Sequence, residues 1–265
     1  MSVRTTHAAV LSVATMLGVA CSSDTTTTMT ADAALTAQAA AIGSSAVTSD
    51  ANLMMPSSAG SQSSVQMSPF DDDNPSAGCS LLLLRWSCPV RISSGLNVSS
   101  AITFYDSTGA PQSTFDALLT ASMHIDADMS GSVQHGSWQS DVVRHRHFIV
   151  SGMIGAEASR TWSGEGSDSL HRTRVSDSSM TREFEVTINT TLSGVVVPVR
   201  GGGRHPKAGT VTQVITMFEV SGDHVGQTYT FAATYTFDGT TRVPFRIGER
   251  RFHLDLDADA VAEDH

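Results

Sequence analysis

The feature that most constrains the fold is an alternation of apolar and polar residues with period two, which begins after residue 79. In TYTFAATYTFDG, residues 228–239, aromatic residues alternate with threonine before an Asp-Gly turn signal. Successive side chains of a β-strand point to opposite faces of a sheet, so the pattern predicts a half-buried strand. The same period recurs in LNVSSAITF, residues 96–104, and no later stretch has a convincing helical period. We therefore predict an all-β domain over residues 79–258, a single antiparallel meander of about 8–11 strands that forms an open curved sheet or half-barrel.

One segment before the sheet has a different composition. ADAALTAQAAAIG, residues 31–43, is rich in the strongest helix formers and ends at Gly43, a residue type that often follows the last turn of a helix. The sequence predicts a short Ala-rich helix here. Such a helix is marginal when isolated in water, and the sequence leaves open whether it docks on the sheet.

The remainder of residues 21–78 is rich in Ser, Thr, Ala, Asp and Gly, as in SSAGSQSS and DDDNPSAG. This composition offers too little apolar surface to offset the entropy lost on ordering. We predict a low-complexity tether over residues 21–78, followed by the β-domain and a C-terminal tail at residues 259–265.

The chain opens with MSVRTTHAAVLSVATMLGVACSSD, in which an apolar run ends directly before Cys21. The run is too short to span a bilayer, which predicts a signal peptide over residues 1–20. The segment resembles a bacterial lipoprotein signal, although Leu17 lies one place earlier than is usual. The resemblance implies lipidation of Cys21 and, with Ser22 next to it, an outer-membrane location on the periplasmic or the surface side. The alternative is a plain secretory signal cut near Ala20, which would leave the protein periplasmic or secreted.

The charge balance bears on possible partners. The chain has 16 basic and 26 acidic residues and a net charge of −10. Nucleic-acid binding requires a basic surface that neutralises phosphates, so this class of partner is excluded. We expect contact with a membrane through the lipid anchor, together with an envelope protein or a small ligand that the sequence does not identify.

Three cysteines are present, and lipidation would use Cys21. Cys79 and Cys88 flank SLLLLRWS, an interval of hairpin size, and disulfides are expected in an oxidising envelope compartment. We predict a Cys79–Cys88 disulfide. A metal or redox pair would favour C-x-x-C spacing, which these residues lack.

An H-x-D-x-D pattern occurs twice, as HIDAD at residues 124–128 and HLDLD at residues 253–257. Asp126 and Asp128 match the first half of a calcium loop, but the twelfth position is Ser137, where such loops need a bidentate carboxylate. Both copies also alternate apolar with polar residues. We therefore favour the exposed polar sides of two strands, with a surface cation site as the alternative.

VVRHRHFIV places His145 and His147 two residues apart, a spacing seen in metal sites on β-sheets. A third ligand, such as His135 or His171, would be needed. No G-x-S-x-G or H-E-x-x-H signature is present. We therefore expect no enzyme activity and no cofactor, and we retain His145, His147, Asp126 and Asp128 only as weak metal candidates.

Five segments occur in the order CSLLLLRWSCP, GLNVSSAITFYDSTGAPQSTFD, SRTWSGEG, VVVPV and FDGTTRVPFRIGERRFHLDLD. In this order the chain resembles a set of uncharacterised lipoproteins of environmental bacteria. The resemblance covers most of the β-domain and implies a common envelope family without implying a mechanism.

Three functional hypotheses follow. The first is a cell-envelope lipoprotein whose β-domain has a non-catalytic structural or binding role. The second is a carrier of apolar ligands or lipids, in which a half-barrel is closed by the Ala-rich helix as a lid. The third is a surface metal-binding protein.

Overall fold

The computed structural model describes residues 33–54, 79–93, 95–155, 158–174, 182–199 and 205–264. One helix precedes thirteen strands in these ranges. Their bounds are α1 Ala33–Met54, β1 Ser80–Leu82, β2 Arg85–Ser93, β3 Leu96–Asp106, β4 Pro111–Gln112, β5 Thr120–His135, β6 Trp138–Ser151, β7 Ser159–Arg174, β8 Arg182–Pro198, β9 Ala208–Ser221, β10 Thr228–Thr236, β11 Arg242–Ile247, β12 Arg250–Asp255 and β13 Ala260–Glu263.

All strands belong to one open antiparallel sheet, and neighbours in the chain are neighbours in the sheet. β4 is the exception, because it pairs only with one end of β3. The predicted meander is therefore confirmed. The strands outnumber the 8–11 expected because β1, β4 and β13 are only two to four residues long and are too short to produce a visible alternation. β13 lies within the segment predicted to be a C-terminal tail.

The sheet has a mostly apolar inner face and a mostly polar outer face, on which Val143, Ile149, Val214 and Phe218 are exposed. On β10 the buried residues are Tyr229, Phe231, Ala233 and Tyr235, and the threonines between them point outward. Burial follows the same period on β6, β8, β9 and β11. Burial of so many apolar side chains on one face makes the hydrophobic effect the dominant favourable term for this fold.

Helix α1 packs on the inner face and runs across the strands. At its first residue, the carbonyl of Ala33 accepts a hydrogen bond of 2.7 Å from Arg250 in β12, and Asp50 contacts Arg146 in β6. Seventeen residues of helix cover about 26 Å. The six inter-strand spacings from β12 to β6 cover about 29 Å, so the two distances agree. Most of the surface of α1 is buried, and its exposed residues are few and small: Ala33, Ala34, Ala37, Ser45 and Asn52.

The predicted helix at residues 31–43 was too short, because the helix continues to Met54. Gly43 is a buried packing position rather than a terminator. A Cβ atom at Gly43 would lie 2.6 Å from Oε1 of Gln213, 2.8 Å from Cδ1 of Ile215 and 2.9 Å from the hydroxyl of Tyr235. Any side chain at position 43 would therefore force these neighbouring side chains to move.

The predicted disulfide is present between Cys79 and Cys88, at the base of the β1–β2 hairpin. Within the described ranges, no helix combines the length and the apolar character that a membrane crossing requires. Cys21 and the predicted signal peptide lie outside the described residues.

The close approach at Gly43 makes a testable prediction. Gly43→Ala should lower the free energy of unfolding by about 1–3 kcal/mol because the added methyl group overpacks the contact with β9 and β10. This loss should occur even though alanine has a helix propensity better by about 1 kcal/mol. Chemical denaturation measures the difference. Ser45→Ala, at an exposed position of the same helix, is the matched control and should change stability by less than about 0.5 kcal/mol. A Gly43→Ala protein as stable as the control would contradict the packing described here.

Candidate functional site

The outer-face cluster consists of Asp126 and Asp128 on β5 with His145 and His147 on β6. Cross-strand register places Asp126 opposite His147 and Asp128 opposite His145. Nδ1 of His145 lies 2.6 Å from Oδ1 of Asp128, and Nδ1 of His147 lies 2.7 Å from Oδ1 of Asp126. The weak metal candidates therefore form two separate His–Asp pairs.

Two further residues border the outer-face cluster. Arg85 at the start of β2 places Nη2 2.9 Å from Oδ2 of Asp126. The ring of His124 lies 5.8 Å from that of His147 in an edge-on arrangement. Partial burial and the neighbouring His147 lower the pKa of His124, and Asp126 acts in the opposite direction. Because the lowered pKa disfavours protonation of His124 in the folded protein, protonation favours the unfolded chain. The contribution of His124 to the free energy of unfolding therefore falls as pH drops below about 6.5.

This geometry limits the chemistry available to the outer-face cluster. Each carboxylate orients one imidazole through Nδ1, and the guanidinium of Arg85 competes with any cation for Asp126. Among the described residues, no three His, Cys, Asp or Glu side chains form a group that could hold a metal ion. His135 lies opposite Trp138 at the far end of β5, and His171 contacts Glu183 at 2.7 Å, so neither joins His145 and His147.

The two H-x-D-x-D copies do not converge. HIDAD lies on β5 and HLDLD begins on β12, with six strands between them. His253 contacts Asp264 at 2.8 Å. Oδ1 of Asp255 accepts hydrogen bonds from the backbone N–H groups of Asp257 and Ala258, which fixes the turn after β12. Ile125, Ala127, Leu254 and Leu256 are buried, so both copies alternate buried with more exposed residues; the first lies entirely on β5, and the second leaves β12 after Asp255.

The strongest electrostatic feature lies on the inner face. We call it the buried ion network: Arg144 and Arg146 on β6, Asp168 on β7 and Asp50 on α1. Nε of Arg146 donates to Oδ1 of Asp50 at 2.7 Å, and Nη1 of Arg146 donates to Oδ1 of Asp168. Nε of Arg144 donates to Oδ2 of Asp168 at 3.0 Å. The side chains of Arg146, Asp50 and Asp168 are completely buried.

The sheet provides space for this network. Arg146 lies opposite Gly166 of β7, where a Cβ atom would be 2.5 Å from Cδ of Arg146. Nη1 of Arg146 also donates to the carbonyl of His145 at 3.0 Å. The same cross-strand row continues through Thr190 and Gln213, so a line of polar residues crosses the apolar face beneath α1.

The network has equal numbers of positive and negative groups. Burial raises the pKa of Asp50, while the guanidiniums of Arg146 and Arg144 act to lower it. Burial alone would lower the pKa of Arg146, but the carboxylates of Asp50 and Asp168 outweigh it, so this pKa is raised. Arg146 therefore stays charged inside the core and needs both anions as partners.

Sequence reasoning did not identify the buried ion network. Arg144 and Arg146 share strand parity with Val142, Phe148 and Val150, all three of which are buried, and that parity was the available signal. Charged residues are rarely buried without partners. The partners Asp50 and Asp168 are 96 and 22 residues away from Arg146, too distant for a local pattern to reveal.

No known protein family, curated protein or solved structure matches this chain.

Arg146 provides the sharpest test of the network. Arg146→Met should lower the free energy of unfolding by about 3–5 kcal/mol, because it leaves the buried Asp50 carboxylate without its hydrogen-bond partner. Arg246→Met on the outer face of β11 is the control and should cost less than about 0.5 kcal/mol. Denaturant titrations of both variants make the comparison. Equal losses of unfolding free energy in Arg146→Met and Arg246→Met would show that the network does not hold the helix to the sheet.

Proposed function

We propose that the chain is a cell-envelope lipoprotein, anchored through Cys21, whose β-domain has a non-catalytic structural or binding role. The observation that carries this proposal is the integration of α1 into the domain. The helix follows Cys21 after eleven residues and is joined to the sheet by the Asp50–Arg146 ion pair. A lipid on Cys21 would therefore be connected directly to the core of the domain.

Chain length limits how far such an anchor could reach. Twelve residue steps separate Cys21 from Ala33, and an extended chain covers about 3.5 Å per residue. The β12–β13 edge, where Arg250 contacts Ala33, would then lie within about 40 Å of the bilayer. Residues 33–54 form α1, and the other residues of the predicted tether lie outside the described residues.

The outer face is the surface we assign to a partner. The inner face is occupied by α1, whereas the outer face presents threonine on β9 and β10 and the outer-face cluster on β5 and β6. These polar groups suit a protein or polar ligand.

Lipidation at Cys21 is tested by metabolic labelling in a Gram-negative host with an alkyne-tagged palmitate. The wild-type protein should carry the label and stay with membranes after an alkaline carbonate wash, because acyl chains anchor more firmly than surface contacts. Cys21→Ser should lose the label. The control is Cys79→Ser with Cys88→Ser, which should keep the label. An unlabelled wild-type protein would overturn the proposal.

The carrier hypothesis requires a ligand to take the place of α1. The Asp50–Arg146 contact and the close approach at Gly43 oppose this exchange, so we favour a helix that stays in place.

A fluorescent naphthylamine probe distinguishes the two hypotheses. We expect the probe to bind Asp50→Asn no more strongly than it binds the wild-type protein. This result is expected even though the substitution removes the charge on the helix side of the contact. Asp128→Asn, on the outer face, is the control. Probe binding that rises only in Asp50→Asn would favour the carrier hypothesis instead.

A further inference from the structure

The β1–β2 hairpin ends in four consecutive leucines, Leu81–Leu84, which we call the leucine tip. All four are exposed, Leu82 by 70% and Leu83 by 91%. Single exposed apolar residues are common on soluble proteins, but contiguous ones indicate a contact surface. The tip is therefore a candidate interaction site on a part of the molecule far from α1.

The backbone of the tip is costly for leucine. Leu83 and Leu84 form the two-residue turn between the paired residues Leu82 and Arg85, with φ of 50° and 64°. Positive φ at both turn positions strongly favours Asn-Gly, because a side chain with a Cβ atom is strained there. Leucine at both positions disagrees with the local turn preference. Such disagreement is typical of functional positions.

The tip also separates from the sheet. Pairing between β2 and β3 ends at Trp86 and Ile102. Beyond that point, Phe104 and Tyr105 of β3 pair with β4 on one side and β5 on the other. Since both edges of β3 are occupied, the leucine tip cannot continue along the sheet and projects from it.

The base of the hairpin is held rigidly. The Cys79–Cys88 disulfide closes it covalently, and the indole N–H of Trp86 donates to the carbonyl of Ser113 at 2.9 Å. A preorganised loop loses less conformational entropy when it binds. Arg85 and Trp86 directly follow the tip, and both contact the sheet or its loops: Arg85 contacts Asp126, and Trp86 contacts Ser113.

A second apolar projection lies at the same end of the sheet. Leu118 and Leu119 are exposed in the loop between β4 and β5. This loop is joined to the one after β6, because the N–H of Gly155 donates to the carbonyl of Ala117 at 2.6 Å. Ile154 in that second loop is also exposed.

We propose that the leucine tip inserts into the acyl-chain region of a lipid bilayer. Leu81 and Leu82 point to opposite sides of the hairpin and Leu83 and Leu84 occupy its end, so apolar surface faces several directions. A hydrocarbon layer contacts the apolar surface on all sides of the tip at once, whereas a protein groove covers only one side. Addition of a partner strand to β2 is opposed by Pro89 and by the bulge between Cys88 and Arg91.

Flotation with vesicles of phosphatidylethanolamine and phosphatidylglycerol tests this proposal. The mature chain from residue 21 onward is used with Cys21→Ser and an intact disulfide, so that neither an acyl group nor the apolar run of the predicted signal peptide contributes. The test variant adds Leu83→Asn and Leu84→Gly, which suit the turn and should leave the thermal midpoint unchanged or higher. Each leucine transferred from water to hydrocarbon changes affinity by about tenfold or more, so vesicle binding should fall about 100-fold.

Val90→Asn with Ile92→Asn, on the same hairpin but away from its tip, is the control and should bind vesicles like the parent. No vesicle binding by the parent, or equal binding by the turn variant, would overturn the proposal. Self-association of the parent without vesicles, abolished in the turn variant, would overturn it in favour of a second copy as the partner. Each of these failures would leave lipidation of Cys21 unaffected, because the tested chains lack that cysteine.

Discussion

Arg146 is the residue on which the arrangement of helix and sheet depends. Its guanidinium joins three elements, because it bonds to Asp50 of α1, to Asp168 of β7 and to the backbone of its own strand. A buried charge of this kind is tolerated only with complementary charges at close range. The position of α1 is therefore set by electrostatics as well as by apolar burial. Shifting the helix by one turn would separate Asp50 from its partner.

The network and the small residues of α1 act together. Gly43 lets the helix approach β9 and β10, and the hydroxyl of Ser44 lies 3.3 Å from that of Tyr235. Buried ion pairs often add little net stability compared with apolar residues, but they penalise alternative arrangements. Here the apolar inner face supplies the driving force, and the Asp50–Arg146 contact ties α1 to one position on the sheet. The outer face remains available for polar partners, and the leucine tip projects from one end of the sheet.

Sequence reasoning could predict what depends on short-range pattern. Period-two alternation identified the sheet, and the polar sides of both H-x-D-x-D strands were assigned correctly because strand geometry alone separates His124 from Ile125. The Cys79–Cys88 interval revealed the hairpin disulfide. Features that depend on tertiary contact were missed. Gly43 was interpreted as a helix end because its contact with Gln213 is formed by a distant strand. The carboxylate partners of Arg144 and Arg146 left no local signal because they are remote in sequence.

Hydrogen exchange tests most directly whether α1 is part of the domain core. In the folded, full-length protein, the amides of residues 39–50 should exchange as slowly as those of β9 and β10, because the helix and these strands would open only together. Fast exchange throughout residues 39–50, with slow exchange in β9 and β10, would contradict the account. It would show that the helix leaves the sheet while the sheet stays folded.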